Sequence, residues 1–305
     1  MRISTTLMFR TGLETINAQQ SQLLHLYQQV GTGRRMVTPS DDPLAASRAI
    51  NLGQTEAQNT RFAANRDIAK QNLGMEDDVL KTVTAALVDV RTRLVEAGNG
   101  SYSDKDRANL AGVLRASYEL LLNQANAKDG NGQYLFSGAS GNATPYSVAA
   151  GETVAEINPD LIDGDRKIQV DQTRQISSGD MADKVFLNLF ESLDAAILVL
   201  ESDTEGDPVA AEALRTQLAT TGSDMEAVYD NVLTVRASVG ARMVEIDALD
   251  SNGDLRNLNY RKELSNLEDA DYYEATSMLT LRQAALDAAA MAFQRIQSTS
   301  LFNKQ

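Results

Sequence analysis

The sequence predicts a mainly α protein: an elongated helical bundle with paired N- and C-terminal coiled-coil helices and a small β-rich outer tip. Three observations carry this. Apolar residues return every seven positions at both ends of the chain, the signature of a helix that packs along a partner helix. A single stretch, 128–181, collects the Gly, Asn and short alternating runs of turns and strands, while both flanks read as long helix. With no Trp and only 5% aromatic residues, the chain suits thin packing layers between slender helices. A chain that runs out, turns once and returns brings its ends together.

The first helix spans about 4–30. Phe9, Ile16, Leu23 and Val30 fall seven apart, with Leu13, Gln20 and Tyr27 four beyond the first three. Gly31-Thr-Gly33-Arg-Arg breaks the pattern, and Thr38-Pro39-Ser-Asp41-Asp42-Pro43 follows, so 31–42 reads as a connector. Asp42 before Pro43 is a helix start: the carboxylate accepts from free backbone N–H groups, and Pro stands where no N–H is needed. The second helix then runs to about 97, where Gly98-Asn-Gly100 stops it. About 55 residues at 1.5 Å each make a rod of roughly 80 Å. Leu73, Leu80, Leu87 and Leu94 mark its later half, with Val83, Val90 and Ala97 three beyond the last three.

Ser103 and Asp106 resemble a capping box. The helix behind them, with Leu110, Val113, Leu114, Ser117 and Leu121 on one face, is expected to end at Asp129-Gly130. In the tip, Gln133–Ser137 and Lys167–Asp171 have strand-like lengths and patterns. Asp183–Glu201 is the next helix, with Phe186, Leu189, Phe190, Leu193, Ile197 and Leu200 as its apolar stripe. Asp207-Pro208 repeats the Asp-Pro start, and Met225, Val232, Val239 and Ile246 repeat in sevens behind it. Asp250-Ser-Asn-Gly253 reads as a stutter or short break, after which Leu255, Leu258, Leu264 and Leu267 resume a helical face. The last helix carries Tyr272, Leu279, Leu286 and Phe293 seven apart, with Ala275, Ala289 and Ile296 beside them. Three domains follow: 1–33 with 272–305, 34–128 with 182–271, and 129–181.

The charge is uneven. Residues 1–43 and 272–305 each carry +1, so the total of −14 leaves −16 on residues 44–271. Near-neutral ends crowd together without repulsion, and an acidic middle stays solvated. No basic surface stands ready to displace phosphate counterions, which argues against nucleic acid as a partner. The absence of Cys excludes disulfides and thiolate chemistry. No apolar run is long enough to span a membrane, and MRISTTLMFR lacks the apolar core of a cleaved signal peptide.

Catalytic and cofactor sites are not legible. His25, the single histidine, lies off the main seam and reads as a surface or interface residue. Gly130-Asn-Gly132 lacks the third glycine and following helix of a dinucleotide loop. Asp250–Asp254 begins like a calcium loop but has Leu255 where the turn needs Gly and Arg261 where a bidentate Glu binds. Glu76-Asp-Asp78 and Glu268-Asp-Ala-Asp271 read as solvated faces or end markers in helical context. The expectation is a non-enzyme with no cofactor or metal.

Over essentially its full length the chain resembles the flagellin superfamily, and within it the hook-associated proteins of the hook–filament junction. The residues that carry the resemblance are Gly31-Thr-Gly33-Arg-Arg with Pro39-Ser-Asp41-Asp42-Pro43, then Gly132-Gln-Tyr-Leu-Phe-Ser-Gly138. They continue with Arg236-Ala-Ser-Val-Gly240-Ala-Arg242, Glu268-Asp-Ala-Asp271 and Ser300-Leu-Phe302. The form Pro-Ser-Asp-Asp-Pro departs from the flagellin Ser-Ala-x-Asp-Asp-Ala and favours the junction branch, while the polar final residues depart from the usual apolar ending. The resemblance implies a structural subunit of the bacterial flagellum, exported through the flagellar type III apparatus with a chaperone and without a cleaved signal peptide. It would form a ring of its own copies between the first hook-associated protein and flagellin. A flagellin with a short outer domain and a cytoplasmic coiled-coil adaptor are the alternatives. The expected assembly interface is Phe9, Leu13, Ile16, Leu23, Tyr27 and Val30 on the first helix. On the last it is Tyr272, Leu279, Leu286, Phe293 and Ile296. One short helical pair gains little against its ordering entropy, so about 1–35 and 272–305 are expected to order only in the assembly. Amide exchange as slow there as in 73–97 on the free chain would count against this.

Overall fold

The computed structural model describes residues 2–149, 151–203 and 207–302, with side chains described between residues 7 and 295 of those ranges. Among them are seven α-helices: α1 Arg2–Thr32, α2 Pro43–Ala97, α3 Asp104–Ala125, α4 Ala182–Phe186, α5 Leu189–Glu201, α6 Pro208–Glu268 and α7 Tyr272–Phe302. Four short strands lie between α3 and α4: β1 Tyr146–Val148, β2 Ala155–Ile157, β3 Lys167–Gln169 and β4 Gln175–Ser177. The fold is mainly α, as the heptads require. The chain divides into two compact units, residues 1–60 with 254–305 and residues 61–253.

Helix starts follow local chemistry closely. Asp42 Oδ1 accepts the Ala45 N–H at 3.0 Å, and Asp207 Oδ1 accepts those of Val209 and Ala210 at 2.9 and 3.2 Å. The Ser103–Asp106 capping box is complete. The end of α2 before Gly98 is equally local, but two other ends differ from the sequence pattern. α1 continues through Gly31 and Thr32, so the connector begins at Gly33, the first residue in the left-handed region, with φ +71°. α3 stops at Ala125, not at Asp129, because Asn126 leaves the helix to bond both the N–H and C=O of Tyr146, at 2.9 and 3.0 Å. Its buried face is Arg107, Ala111, Leu114, Tyr118, Leu121 and Ala125, which leaves Val113 exposed.

Residues 61–253 hold a continuous apolar core. α2 contributes Leu73, Leu80, Val83, Leu87, Val90 and Leu94, and α6 contributes Met225, Val228, Val232, Val239 and Ile246. These two helices run antiparallel, as the ordered pairs Arg91–Glu226, Arg236–Asp77 and Lys70–Asp247 require. The stripe expected over 183–201 is fully buried but belongs to two helices: the chain breaks at Leu187, whose φ is +49°. α6, in contrast, passes through Asp250–Gly253 without interruption. The residues beyond it do not form a uniformly covered face, since Leu255 and Leu258 are exposed.

The stretch 129–181 makes two separate antiparallel ladders, β1–β2 and β3–β4. Gln133–Ser137 is not a strand. It forms only isolated bridges, Lys128 with Tyr134 and Ser137 with Met181, because Gly132 and Gly138 turn the chain at φ +83° and +58°. A Cβ at Gly138 would lie 2.8 Å from the Gly164 carbonyl oxygen. Phe136 and Tyr146 insert inward and join Phe186, Phe190 and Tyr118 in one cluster of edge-on and tilted rings with centroids 4.6–6.2 Å apart.

Candidate assembly interface

The expected interface lies in the unit formed by residues 1–60 and 254–305. α1 and α7 run antiparallel, fixed by three contacts in register: Gly33 against Tyr272, Tyr27 Oη with the Gln283 side-chain amide, and the rings of Phe9 and Phe293 at 5.0 Å. Ile16, Leu23 and Val30 of α1 and Leu279, Leu286 and Phe293 of α7 are half-buried, and Ala275 is buried. The seam is thin. Phe9 and Leu13 remain 39% exposed, Tyr27 46% and Tyr272 57%. Tyr272 closes the joint below the seam rather than filling it. Outside the seam Leu7, Met8, Leu24, Tyr273, Leu281 and Met291 are also exposed. The Ile296 and Leu301 side chains and the last three residues lie outside the described residues.

Where α1 and α7 meet the rest of their unit, two connectors are bonded to each other. The N–H of Arg35 donates to the Glu268 carbonyl at 2.7 Å, and the N–H of Ala270 donates to the Gly33 carbonyl at 2.9 Å. Side chains brace the joint: Arg34 pairs with Glu268 at 3.7 Å, and Arg35 reaches Asp42 at 3.4 Å and the Leu267 carbonyl at 3.0 Å. Gln29 spans from α1 to the Arg35 carbonyl at 2.6 Å. On the other connector, Asp271 caps α7 by accepting from Tyr273 and Glu274. Thus α6 ends at Glu268 and 269–271 is a connector, and Asp271 marks the start of the next helix.

The Pro39-Ser-Asp-Asp-Pro43 run is a turn followed by a cap. Asp41 N–H closes the turn on Thr38 O at 3.0 Å, with Pro39 at the position its fixed φ favours. The Thr38 N–H, joined by the Thr38 hydroxyl and the Val37 N–H, holds the Asp41 carboxyl below its usual range; the charge of His25 adds to this. The Ala45 N–H and Arg35 do the same for Asp42. Both groups support the connector above the ordinary carboxylate pKa, and that support is lost on acidification through their lowered folded values.

His25 Nε2 stands 3.8 Å from Asp41 and 3.3 Å from the Gln29 amide nitrogen, in a depression of about 480 Å³ that Ser21, Met278 and Arg282 also line. Both Asp41 oxygens are committed to the turn. His25 is therefore part of the bracing of α1 on the connector. Among the described residues no cluster of His, Asp or Glu could hold a metal, and no helix is long and apolar enough to cross a membrane.

These features locate the chain among known proteins. Residues 3–141 match the model of the bacterial flagellin N-terminal helical region. Over 321 aligned residues, covering 99% of both chains, the sequence is 36% identical to flagellar hook-associated protein 3 of Salmonella typhimurium. The chain belongs to the flagellar hook-associated protein 3 family. A flagellin of Listeria monocytogenes is more distant, 23% identical over 92% of this chain and 90% of its own. Two solved structures share the fold. A putative flagellar hook-associated protein from Vibrio parahaemolyticus has a TM-score of 0.67 at 21% identity, covering 75% of this chain and all of that one. The flagellar junction protein FlgL from Legionella pneumophila has 0.59 at 17%, covering 74% and 100%.

Within this chain the motif residues fall in two places. Gly33, Pro39, Asp41, Asp42, Pro43, Glu268 and Asp271 surround the connectors. Arg236, Gly240 and Arg242 belong to the other unit, where Arg236 pairs with Asp77 at 2.9 Å and Arg242 bonds Asp180. A Cβ at Gly240 would meet open space, so nothing in the structure explains that glycine. Sequence reasoning passed over Gly12, where a Cβ would come 2.8 Å from the Phe293 ring, and over Gln29 and Gln283. Glycine on the seam side of a heptad helix was the available signal for the first. The amides gave none.

Gly33 tests the joint. Alanine there must adopt φ +71° and place its Cβ 2.9 Å from Tyr272 Oη. The left-handed strain alone costs about 1–2 kcal/mol. Gly33→Ala should speed exchange of the Ala270 amide about tenfold, and adding Tyr272→Phe should recover the steric part only. Unchanged Ala270 exchange would show that the two connectors do not act as one joint.

Proposed function

We propose that this chain is a structural, non-catalytic subunit of the bacterial flagellum, located outside the cell at the junction between the first hook-associated protein and the flagellin filament. The observation that carries the reading is the α1–α7 pair. Its seam is only half covered, and further large apolar side chains stand exposed on both helices. Exposed apolar surface of this extent on one element marks an interaction face. In this reading residues 1–33 and 272–305 form the assembly domain, 34–128 with 182–271 the supporting helical domain, and 129–181 the outward-facing domain.

Copies of the chain would pack side by side in a ring through Phe9, Leu13, Ile16, Leu23, Tyr27 and Val30 with Tyr272, Leu279, Leu286, Phe293 and Ile296. One end of the ring would meet the hook-associated protein and the other would template flagellin. Before export, the same apolar faces need an occupant, which a flagellar export chaperone would supply. Antibody against 140–165, applied to intact flagella, is expected to label one narrow band between hook and filament. Label along the whole filament, with purified protein growing long filaments unaided, would instead favour the flagellin reading that the match over 3–141 allows. Retention inside the cell would point to an adaptor.

A further inference from the structure

Glu76 contradicts its reading as a solvated carboxylate. It lies on the buried line of α2 with 1% of its surface exposed. Its Oε1 accepts the N–H of Asp180 at 3.1 Å, while its Oε2 is buried with no donor in reach. The carboxyl of Asp180 is its side-chain neighbour. Arg242 of α6 donates to Asp180 Oδ2 and, at 3.2 Å, to the Ser177 carbonyl. Gly179 fits between: a Cβ there would lie 3.1 Å from the Leu135 carbonyl oxygen and 4.0 Å from Glu76 Oε2.

We propose that Glu76 holds a proton that it donates to the Asp180 carboxylate, and that this proton fastens the return segment 178–181 to α2 and α6. Charge accounts for it. The cluster offers two carboxyls and one guanidinium. Of the other charged groups on the segments packed here, Arg236 is matched with Asp77 and, on α4, Lys184 with Asp165, while Arg166, whose carbonyl holds Ser178, turns its guanidinium to the Gln133 side-chain oxygen at 2.6 Å; Asp183 on α4 adds only negative charge. With one proton the set is neutral, and Oε2 gains a hydrogen to donate to Asp180. Without it, the buried Glu76 carboxylate and the half-buried one of Asp180 face a single cation, an arrangement in which one proton is retained. Burial, reinforced by the charge of Asp180, lifts Glu76 to about 8.

The sign follows from linkage. The folded value lies above the ordinary 4.5, so the clamp's contribution is full below about 4.5 and is lost as pH rises through about 8. The base of the 129–181 stretch is thus held in acid and neutral media and loosened in alkaline ones.

Amide exchange on the full chain tests this, read at Ala182, whose N–H bonds the Phe136 carbonyl at 3.0 Å. After correction for intrinsic base catalysis, its opening should rise at least tenfold between pH 6.5 and 9. Glu76→Gln, whose amide oxygen can accept from Asp180 and whose nitrogen can donate to it, should flatten that rise. Infrared difference spectra of the unaltered protein should show a protonated carboxyl at pH 7 that titrates near pH 8, whether or not the variant folds. A pH-independent Ala182, or no protonated carboxyl at pH 7, overturns the proposal.

Discussion

Phe186→Ala is expected to destabilise the unit 61–253 by about 3–5 kcal/mol, the range for removing a buried ring. Phe186 is fully buried and contacts rings from three directions: Phe136 at 5.2 Å, Tyr146 at 6.1 Å and Phe190 at 6.2 Å. Two of these belong to the 129–181 stretch and one to α5, so the cavity would sit where strands and helices share a core. Relaxation is restricted on one side by Leu187, held at φ +49°. For a unit of this size each kcal/mol moves the midpoint by about 2–4 °C, so a drop of about 10 °C is the expected reading. Near-ultraviolet circular dichroism, which follows the tyrosines of this cluster, should weaken together with it. Val244→Ala, at a site 69% exposed, should change stability by less than about 0.5 kcal/mol. A Phe186→Ala loss as small as that would mean the ring cluster is peripheral to the core.

The parts of the fold that were legible are those set within one turn of the chain. Asp42-Pro43 and Gly98 bound α2 to the residue, because cap and stop both act locally. The heptads of α2 and α6 located their buried lines for the same reason. What was not legible depends on residues far away in sequence. Asp250-Ser-Asn-Gly253 has the composition of a turn, yet Asp250 is held by the buried Arg66, which also donates to the Val170 carbonyl at 2.9 Å, and the helix continues. The break at Leu187 is silent because the apolar residues on either side keep one helical period. Asn126 ends α3 only because Tyr146 offers both of its backbone groups.

Glu76 was legible in principle. The line Val83, Val90, Ala97, extended back by seven, lands on it. The neighbouring Asp77 and Asp78 made the run look like a solvated face, and composition outweighed position. At the assembly seam the reverse holds: position located α1 and α7 as partners, while the connector hydrogen bonds between Gly33, Arg35, Glu268 and Ala270 join residues more than two hundred positions apart and have no local trace.

Leu23→Asp and Leu286→Asp are expected to leave the unit 61–253 folded and the chain exported, yet to block junction assembly, with flagellin released into the medium. Each leucine is half-buried in the seam, so a carboxylate there must either stay hydrated and open the pair or be buried without a partner. Burial of an unpaired charge is costly enough that the pair opens instead, and the lost apolar contact adds roughly 2 kcal/mol for a side chain only partly covered. In the proposed ring the deficit would recur in every copy, so an assembly held by repeated seams would weaken by the sum of its losses. The ratio of attached to shed flagellin should therefore fall by at least tenfold in either variant, while circular dichroism and urea unfolding of 61–253 stay as in the parent. The position also matters. Val95→Asp, on an α2 side chain 79% exposed, adds the same charge outside the seam and should leave attachment unchanged. Normal filament attachment in both leucine variants would refute the seam as the assembly interface, and equal loss in Val95→Asp would assign the effect to charge alone.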